Sequence, residues 1–158
     1  MTMEQQTIFD DVEVGQALDG FEVVPSKVQM MRYCAVTWNM HRIHFDEVYA
    51  EQEGYPGVLV QSHLHQGFLT QLVTDWMGPA GRIVSLEATN RRFAIAGQTL
   101  TLRGTVTAVE PIDDQRGRVH LDIEEVRLAD DTVCVPGSAV VELPTRAACD
   151  AIVAGRAA

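Results

Sequence analysis

The sequence predicts an α+β fold in which an antiparallel sheet wraps around one long central helix. Two observations carry this. Apolar residues between Val58 and Met77 recur at helical spacing, with Val60, Leu64, Phe68, Leu72 and Trp76 four apart and Leu69 and Val73 beside them. That face is wide enough for a largely buried helix. After Gly78-Pro79 the period changes from helical to alternating and stays so to Leu143. A run of helix followed by a run of strand marks α+β. A chain of 158 residues has room for one domain with a sizeable core. The expected division is a domain over 1–145 and a tail over 146–158.

The elements follow in order. Val14-Gly15-Gln16 reads as a turn and Phe21 to Val24 as a short strand. Ser26 after Pro25 is a good helix N-cap. Val28, Met31, Cys34, Ala35 and Trp38 have helical spacing and predict a short amphipathic helix that ends before the histidines. Asp46 to Gln52 makes another short helix, stopped by Gly54 and Pro56. Ile83 to Ile95 is expected as the first long strand. In Thr99 to Val109, Leu100, Leu102, Val106 and Ala108 share one face; in Arg118 to Leu128, Val119, Leu121 and Ile123 do. Glu124-Glu125 then shift the parity onto Val126 and Leu128, which predicts a bulge. Val133 and Val135 lead through Pro136-Gly137 to Ala139, Val141 and Leu143. Asp113–Gly117 and Ala129–Asp131 read as hairpin turns. The Ala-rich tail from Thr145 reads as a frayed helix.

Composition narrows the function. Hydrophobic residues are 46% and charged residues 22%, an ordinary globular balance. The net charge of -10 argues against nucleic acid and anionic membrane as partners. No apolar run approaches the ~18 residues that span a bilayer. The acidic N-terminus lacks the regions of a signal peptide, so the expected compartment is the cytoplasm. Cys34, Cys134 and Cys149 form no Cys-x-x-Cys pair, which suggests reduced thiols. Cys34 reads as inert packing rather than as a nucleophile.

The chemistry concentrates between Trp38 and Ser62. His41 and His44 stand three apart in a polar turn that feeds the long helix through Tyr55-Pro56-Gly57. Two imidazoles there suit acid–base work, although caps bonded to backbone are the bland alternative. A zinc site from His41, His44 and His63 lacks helical spacing and cysteine partners. His63 and His65 are two apart and do not share a helix face.

The stretch Thr37-Trp38-Asn39-Met40-His41-Arg42-Ile43-His44-Phe45, followed by Glu53-Gly54-Tyr55-Pro56-Gly57, resembles the MaoC-like (R)-specific enoyl-thioester hydratases and dehydratases of the hotdog fold. Within that family it is most like the branch with mitochondrial-type hydroxyacyl-thioester dehydratases and mesaconyl- or itaconyl-CoA hydratases. The resemblance implies a single hotdog domain and interconversion of 2-enoyl and 3-hydroxyacyl thioesters, with the (R)-3-hydroxy product. It implies His44 as the base, with Asn39 where an Asp is usual and His41 where an Asn is common. It places a backbone donor at Ser62, where the helix begins, with Gln61-Ser62 in place of His-Gly. Tyr55, Gly57, Gln61, His63, Arg91 and Arg92 complete the set of candidate substrate-binding residues. For Tyr55 to Gly57 the alternative is turn chemistry, and for the arginines plain solvation. No metal or cofactor is implied beyond the CoA of an acyl-CoA substrate.

Val73-Thr74-Asp75-Trp76-Met77-Gly78-Pro79 and Gly104-Thr105-Val106-Thr107-Ala108-Val109 also look like segments of a small MaoC-like subunit of heteromeric steroid side-chain hydratases. The implied assembly is a homodimer or a hetero-oligomer with another hotdog chain. A partner-dependent subunit is therefore the main rival reading. A hotdog thioesterase, for which Asp75 lies too near the helix end, and an acyl-CoA-binding protein without chemistry are the others.

Overall fold

The computed structural model describes residues 6–156; residues 1–5 and 157–158, the outer ends of the expected domain and tail, lie outside it. Five antiparallel strands form one sheet in the order β1-β3-β4-β5-β2. They are β1 (Phe21–Val23), β2 (Arg82–Ala88), β3 (Leu100–Pro111), β4 (Arg116–Arg127) and β5 (Thr132–Pro144). The helices are α1 (Lys27–Thr37), α2 (Glu47–Gln52), α3 (Ser62–Met77) and α4 (Arg146–Arg156). Leu69, Leu72 and Val73 of α3 are fully buried with Leu100, Leu102, Val119, Leu121 and Val141 from the sheet. Each such side chain contributes about 1.5–3 kcal/mol by leaving water. The sheet therefore wraps α3, as the change of period predicts.

The ends of the helices come from local chemistry. Ser26 Oγ accepts the Gln29 N–H at 3.1 Å and starts α1. Trp38 closes it in the left-handed region, φ 59°, with its N–H on the Cys34 carbonyl. Asp46 Oδ1 accepts the Tyr49 N–H at 3.0 Å and starts α2. Gly78, at φ 75°, ends α3. Thr145 opens α4 by accepting the Ala148 N–H.

Three expectations about the elements need correction. The helical spacing from Val58 starts before the helix does: α3 begins at Ser62, and residues 58–60 pair with 94–96 instead. Val60 N–H reaches the Ala94 carbonyl at 2.9 Å and Ala96 N–H the Val58 carbonyl at 3.0 Å. The strand expected over Ile83 to Ile95 stops at Ala88. Beyond it the N–H groups of Arg91 and Arg92 bond to the Cys134 carbonyl at 2.9 and 3.1 Å, and the chain turns to meet residues 58–60. Finally, α1 buries Met30 and Cys34, while Val28, Met31, Ala35 and Trp38 face solvent. The helical spacing was real. The helix docks through Met30 and Cys34, where the Gln61 side chain meets it.

The bulge expected at Glu124-Glu125 is present and Val126 beyond it is buried, but its position on the strands and the place of Leu128 need correction. The irregularity falls between Glu125 and Val126, where Glu125 pairs with Val135 and Val126 with Val133. The extra residue is thus Cys134 on β5. Glu125 keeps the inward parity of Val119, Leu121 and Ile123 and is fully buried, and Leu128 is exposed.

The N-terminal segment covers the outer edge of β3. Gly15 N–H bonds to the Val106 carbonyl, Val106 N–H to Gln16, and Leu18 N–H to Gly104, at 2.8–2.9 Å. Then β1 pairs with Leu100–Leu102. On the other side, β2 is the edge.

Candidate active site

The loop after α1 is built by its own side chains. His41 Nδ1 accepts the Ile43 N–H at 3.4 Å and caps a 3-10 turn over Arg42–His44. The Arg42 guanidinium lies 4.4 Å from the Tyr49 ring centre and bonds to Asp46 Oδ2 at 3.0 and 2.6 Å. These contacts hold Arg42 outward, so the turn directs His44 inward.

His44 is only 9% exposed. Its Nδ1 meets the Leu59 carbonyl at 2.8 Å, and the Leu59 N–H returns to the Ile43 carbonyl at 2.9 Å. A carbonyl only accepts, so Nδ1 carries the proton and Nε2 presents a lone pair. Burial, the largest cause, lowers the His44 pKa from 6.5; the Leu59 bond opposes it, and the charges of His41 and His65 add to it. Neutral His44 is therefore a base at neutral pH. The His41 ring lies edge-on with its centre 6.0 Å away. Because His41 Nδ1 accepts from Ile43, its neutral form carries the proton on Nε2. One imidazole is poised to accept and its neighbour to donate.

Ser62 and His63, both exposed, open α3. The Leu64 and His65 N–H groups close on the Gln61 carbonyl at 2.9 and 3.2 Å. Gln61 does not cap the helix with its side chain. Its Nε2 goes to the Met30 carbonyl and Cys34 Sγ, each at 2.9 Å. The start of α3 thus keeps backbone donors and the positive end of its dipole for a negative group.

The sequence-predicted residues do not all gather in one place. Asn39, half-buried, shares one loop with His41 and His44, and the Leu59 bond brings that loop beside the lead-in to Ser62. Gln61, expected at the substrate, has a fully buried side chain that ties α3 to α1. Tyr55 packs edge-on against Phe93 with centres 5.7 Å apart, and Gly57 lies beneath Ile95. Arg91 and Arg92 are exposed, and Arg92 Nη1 turns onto the Arg91 carbonyl at 3.0 Å. Among the described residues, no cluster of three or more His, Cys, Asp or Glu could hold a metal ion.

Sequence reasoning missed one pair beside this site. His65 Nδ1 and Glu125 Oε1 are 2.6 Å apart, 4% and 0% exposed in their side chains. The available signal was an acidic residue at an inward position of β4.

The comparisons with known proteins agree with this geometry. The sequence pattern of the hydroxyacyl-thioester dehydratase type 2 family matches residues 13–96, more than half of the chain. The chain belongs to that family. The matched span includes the histidine loop and all of α3. A 51-residue segment is 45% identical to mesaconyl-C(4)-CoA hydratase of Chloroflexus aurantiacus, covering 32% of this chain and 18% of that protein. Among solved structures, the (R)-hydratase of A. caviae involved in PHA biosynthesis superimposes with a TM-score of 0.76 at 19% identity, covering 85% of this chain and 98% of that one. R-hydratase PhaJ1 of Pseudomonas aeruginosa gives 0.77 at 18%, covering 88% and 86%. The ChsH1-ChsH2 complex of Mycobacterium tuberculosis gives 0.73 at 20%, covering 84% and 98%. The fold is the hotdog fold of these MaoC-like proteins. Among the described residues, no helix is long and apolar enough to cross a membrane.

Proposed function

We propose that the chain interconverts 2-enoyl-CoA and (R)-3-hydroxyacyl-CoA, with His44 as the base. The observation that carries this is the bond from His44 Nδ1 to the Leu59 carbonyl, which fixes the tautomer and leaves Nε2 to take a proton. In hydration, Nε2 removes a proton from water as its oxygen bonds to C3. The double-bond electrons move toward the thioester carbonyl. The Ser62 N–H at the start of α3 stabilises the charge on that oxygen. The His44 imidazolium then returns a proton to C2, so one water is added and the base is regenerated, with His41 positioning the reacting groups. Dehydration runs the same steps backward. Asn39 orients the water, since a carboxamide holds it without taking its proton. Arg91 and Arg92 offer exposed cations for CoA phosphates.

The test is loss of enoyl absorbance with crotonyl-, octenoyl- and mesaconyl-CoA. Wild type should turn over at least one of these substrates. His44→Ala should lose about 10²-fold or more with its circular dichroism unchanged. Equal rates in the two proteins would remove His44 from the mechanism.

A second reading has its own support. The usual carboxylate is replaced by Asn39, and one structural neighbour is a complex of two chains. The chain would then be a subunit that needs another hotdog chain. Inactivity alone, with turnover on co-expression, distinguishes this reading from the first.

A further inference from the structure

Among the described residues, two that are not glycine have positive φ, Trp38 and Asp131. Asp131 lies in the turn after β4, where an Asp tolerates that conformation. Trp38 is a different case. It closes α1 at φ 59°, with its own N–H and the Asn39 N–H both on the Cys34 carbonyl. Helices that end this way ordinarily place Gly or Asn there, because a larger side chain crowds the left-handed backbone. Packing offers the indole nothing in return, since Trp38 is 86% exposed. The other tryptophan, Trp76, is 8% exposed and belongs to the core. Folding does not explain a bare aromatic on a strained backbone, and such outliers gather at ligand sites.

The surroundings of Trp38 point to a class of ligand. Trp38 directly precedes Asn39 and stands three residues before His41. At no more than ~3.6 Å per residue, the Trp38 and His41 Cα atoms lie within ~11 Å of each other. The indole is therefore beside the histidine loop rather than in it. From Val23 to Phe45 the sequence contains no Asp or Glu but holds Lys27, Arg32 and Arg42, in a chain whose net charge is -10. Lys27 is engaged with Glu47 and Arg42 with Asp46. Arg32, exposed on α1, forms no ion pair among the described residues. An open indole face takes a nucleobase by stacking, and a guanidinium takes the phosphates that such a base carries.

We propose that Trp38 is the stacking platform for the adenine ring of CoA, with Arg32 as a further cation for its phosphates. The nucleotide end of the thioester is then held outside the histidine loop while the acyl end reaches His44. The choice of CoA rests on the hydratase reading; a nucleotide site at Trp38 does not need turnover to be seen.

The experiment titrates the protein with free CoA, with adenosine 3′,5′-bisphosphate and with pantetheine, reading tryptophan emission and calorimetric affinity. Because Trp76 is buried, loss of the solvent-exposed component of the emission reports on Trp38. The expected result is saturable quenching by CoA and by the bisphosphate, and none by pantetheine. Trp38→Gly should weaken CoA binding about 5-fold or more, with its melting temperature unchanged or raised because glycine relieves the backbone. Trp38→Phe keeps a ring and should recover part of the affinity. Wild-type emission unmoved by CoA and the bisphosphate would overturn the proposal. An unchanged CoA affinity in Trp38→Gly would overturn it too; if that variant also sedimented as a smaller species, the indole would belong to a protein interface. A lowered melting temperature would likewise overturn it, since the indole would then serve the fold. Turnover of crotonyl-CoA by wild type is scored separately. Its absence would count against the hydratase reading, while the titrations would still decide the platform.

Discussion

A single carbonyl decides what His44 can do. The Leu59 oxygen accepts from Nδ1, and burial then disfavours the imidazolium. The sign for catalysis follows. The base form is present above the lowered pKa, so kcat/KM should level off toward high pH and fall as pH drops through a value below 6.5. A pH–rate profile checks this. Stability changes in the same direction, because the unfolded chain takes up the proton first as pH falls. At this scale the sequence was only partly legible. His41 and His44 could be found because chemistry, spacing and the Tyr-Pro-Gly turn coincide in one short stretch. Glu125 was missed, because two adjacent glutamates in a strand look like a break in alternation. The alternation in fact runs unbroken from Val119 to Glu125, and the extra residue, Cys134, lies on the neighbouring strand. The Gln61 side chain was likewise expected at the substrate. Its partners on α1 lie 27 and 31 positions away, beyond any local pattern.

Elements were legible where caps and periods agree, as at Ser26, Asp46 and Gly78. They were less so where pairing across the fold overrides local preference. Residues 58–60 continue the helical spacing yet are extended, because residues 94–96 offer them hydrogen bonds. In α1 two apolar stripes compete, and docking chooses Met30 and Cys34. The contact between β2 and β5 is tightest at Gly137, which pairs with Ala88. A Cβ there would run into the Glu87 carbonyl. Gly137→Ala should therefore cost about 1–3 kcal/mol, read as a lower melting temperature, and should loosen β2 while the histidine loop keeps its geometry. An unchanged melting temperature would mean that β2 yields freely. The turn after β4 is stiffer. Arg127 bonds to Asp130 at 2.9 and 2.8 Å and to the Phe93 carbonyl at 2.9 Å. The guanidinium holds the Asp130 carboxyl down at about 2. Its stabilising effect is complete above the ordinary value of 3.8 and is lost as pH falls toward 2. This clip on the segment carrying Phe93 outlasts the histidines during acidification.

At the scale of the molecule, the central helix and its wrapping sheet were legible because one change of period marks them both. What the period could not indicate is that the two sides of the sheet differ. Residues 15–18 and the three-residue β1 lie along the outer side of β3, so the sheet ends on one side in a short strand and on the other in the seven-residue β2. A free edge invites a second copy, so native mass spectrometry should find two chains per particle. Val84→Lys on that strand should shift the population toward one. A single-chain mass for wild type would instead favour a missing partner of another sequence. The two edges are unequal, since β2 offers seven residues and β1 only three. Two copies paired through β2 would bury the longer edge of each and leave only the short β1 at either end. A short edge strand discourages further addition, so pairing through β2 favours a finite particle over a fibre.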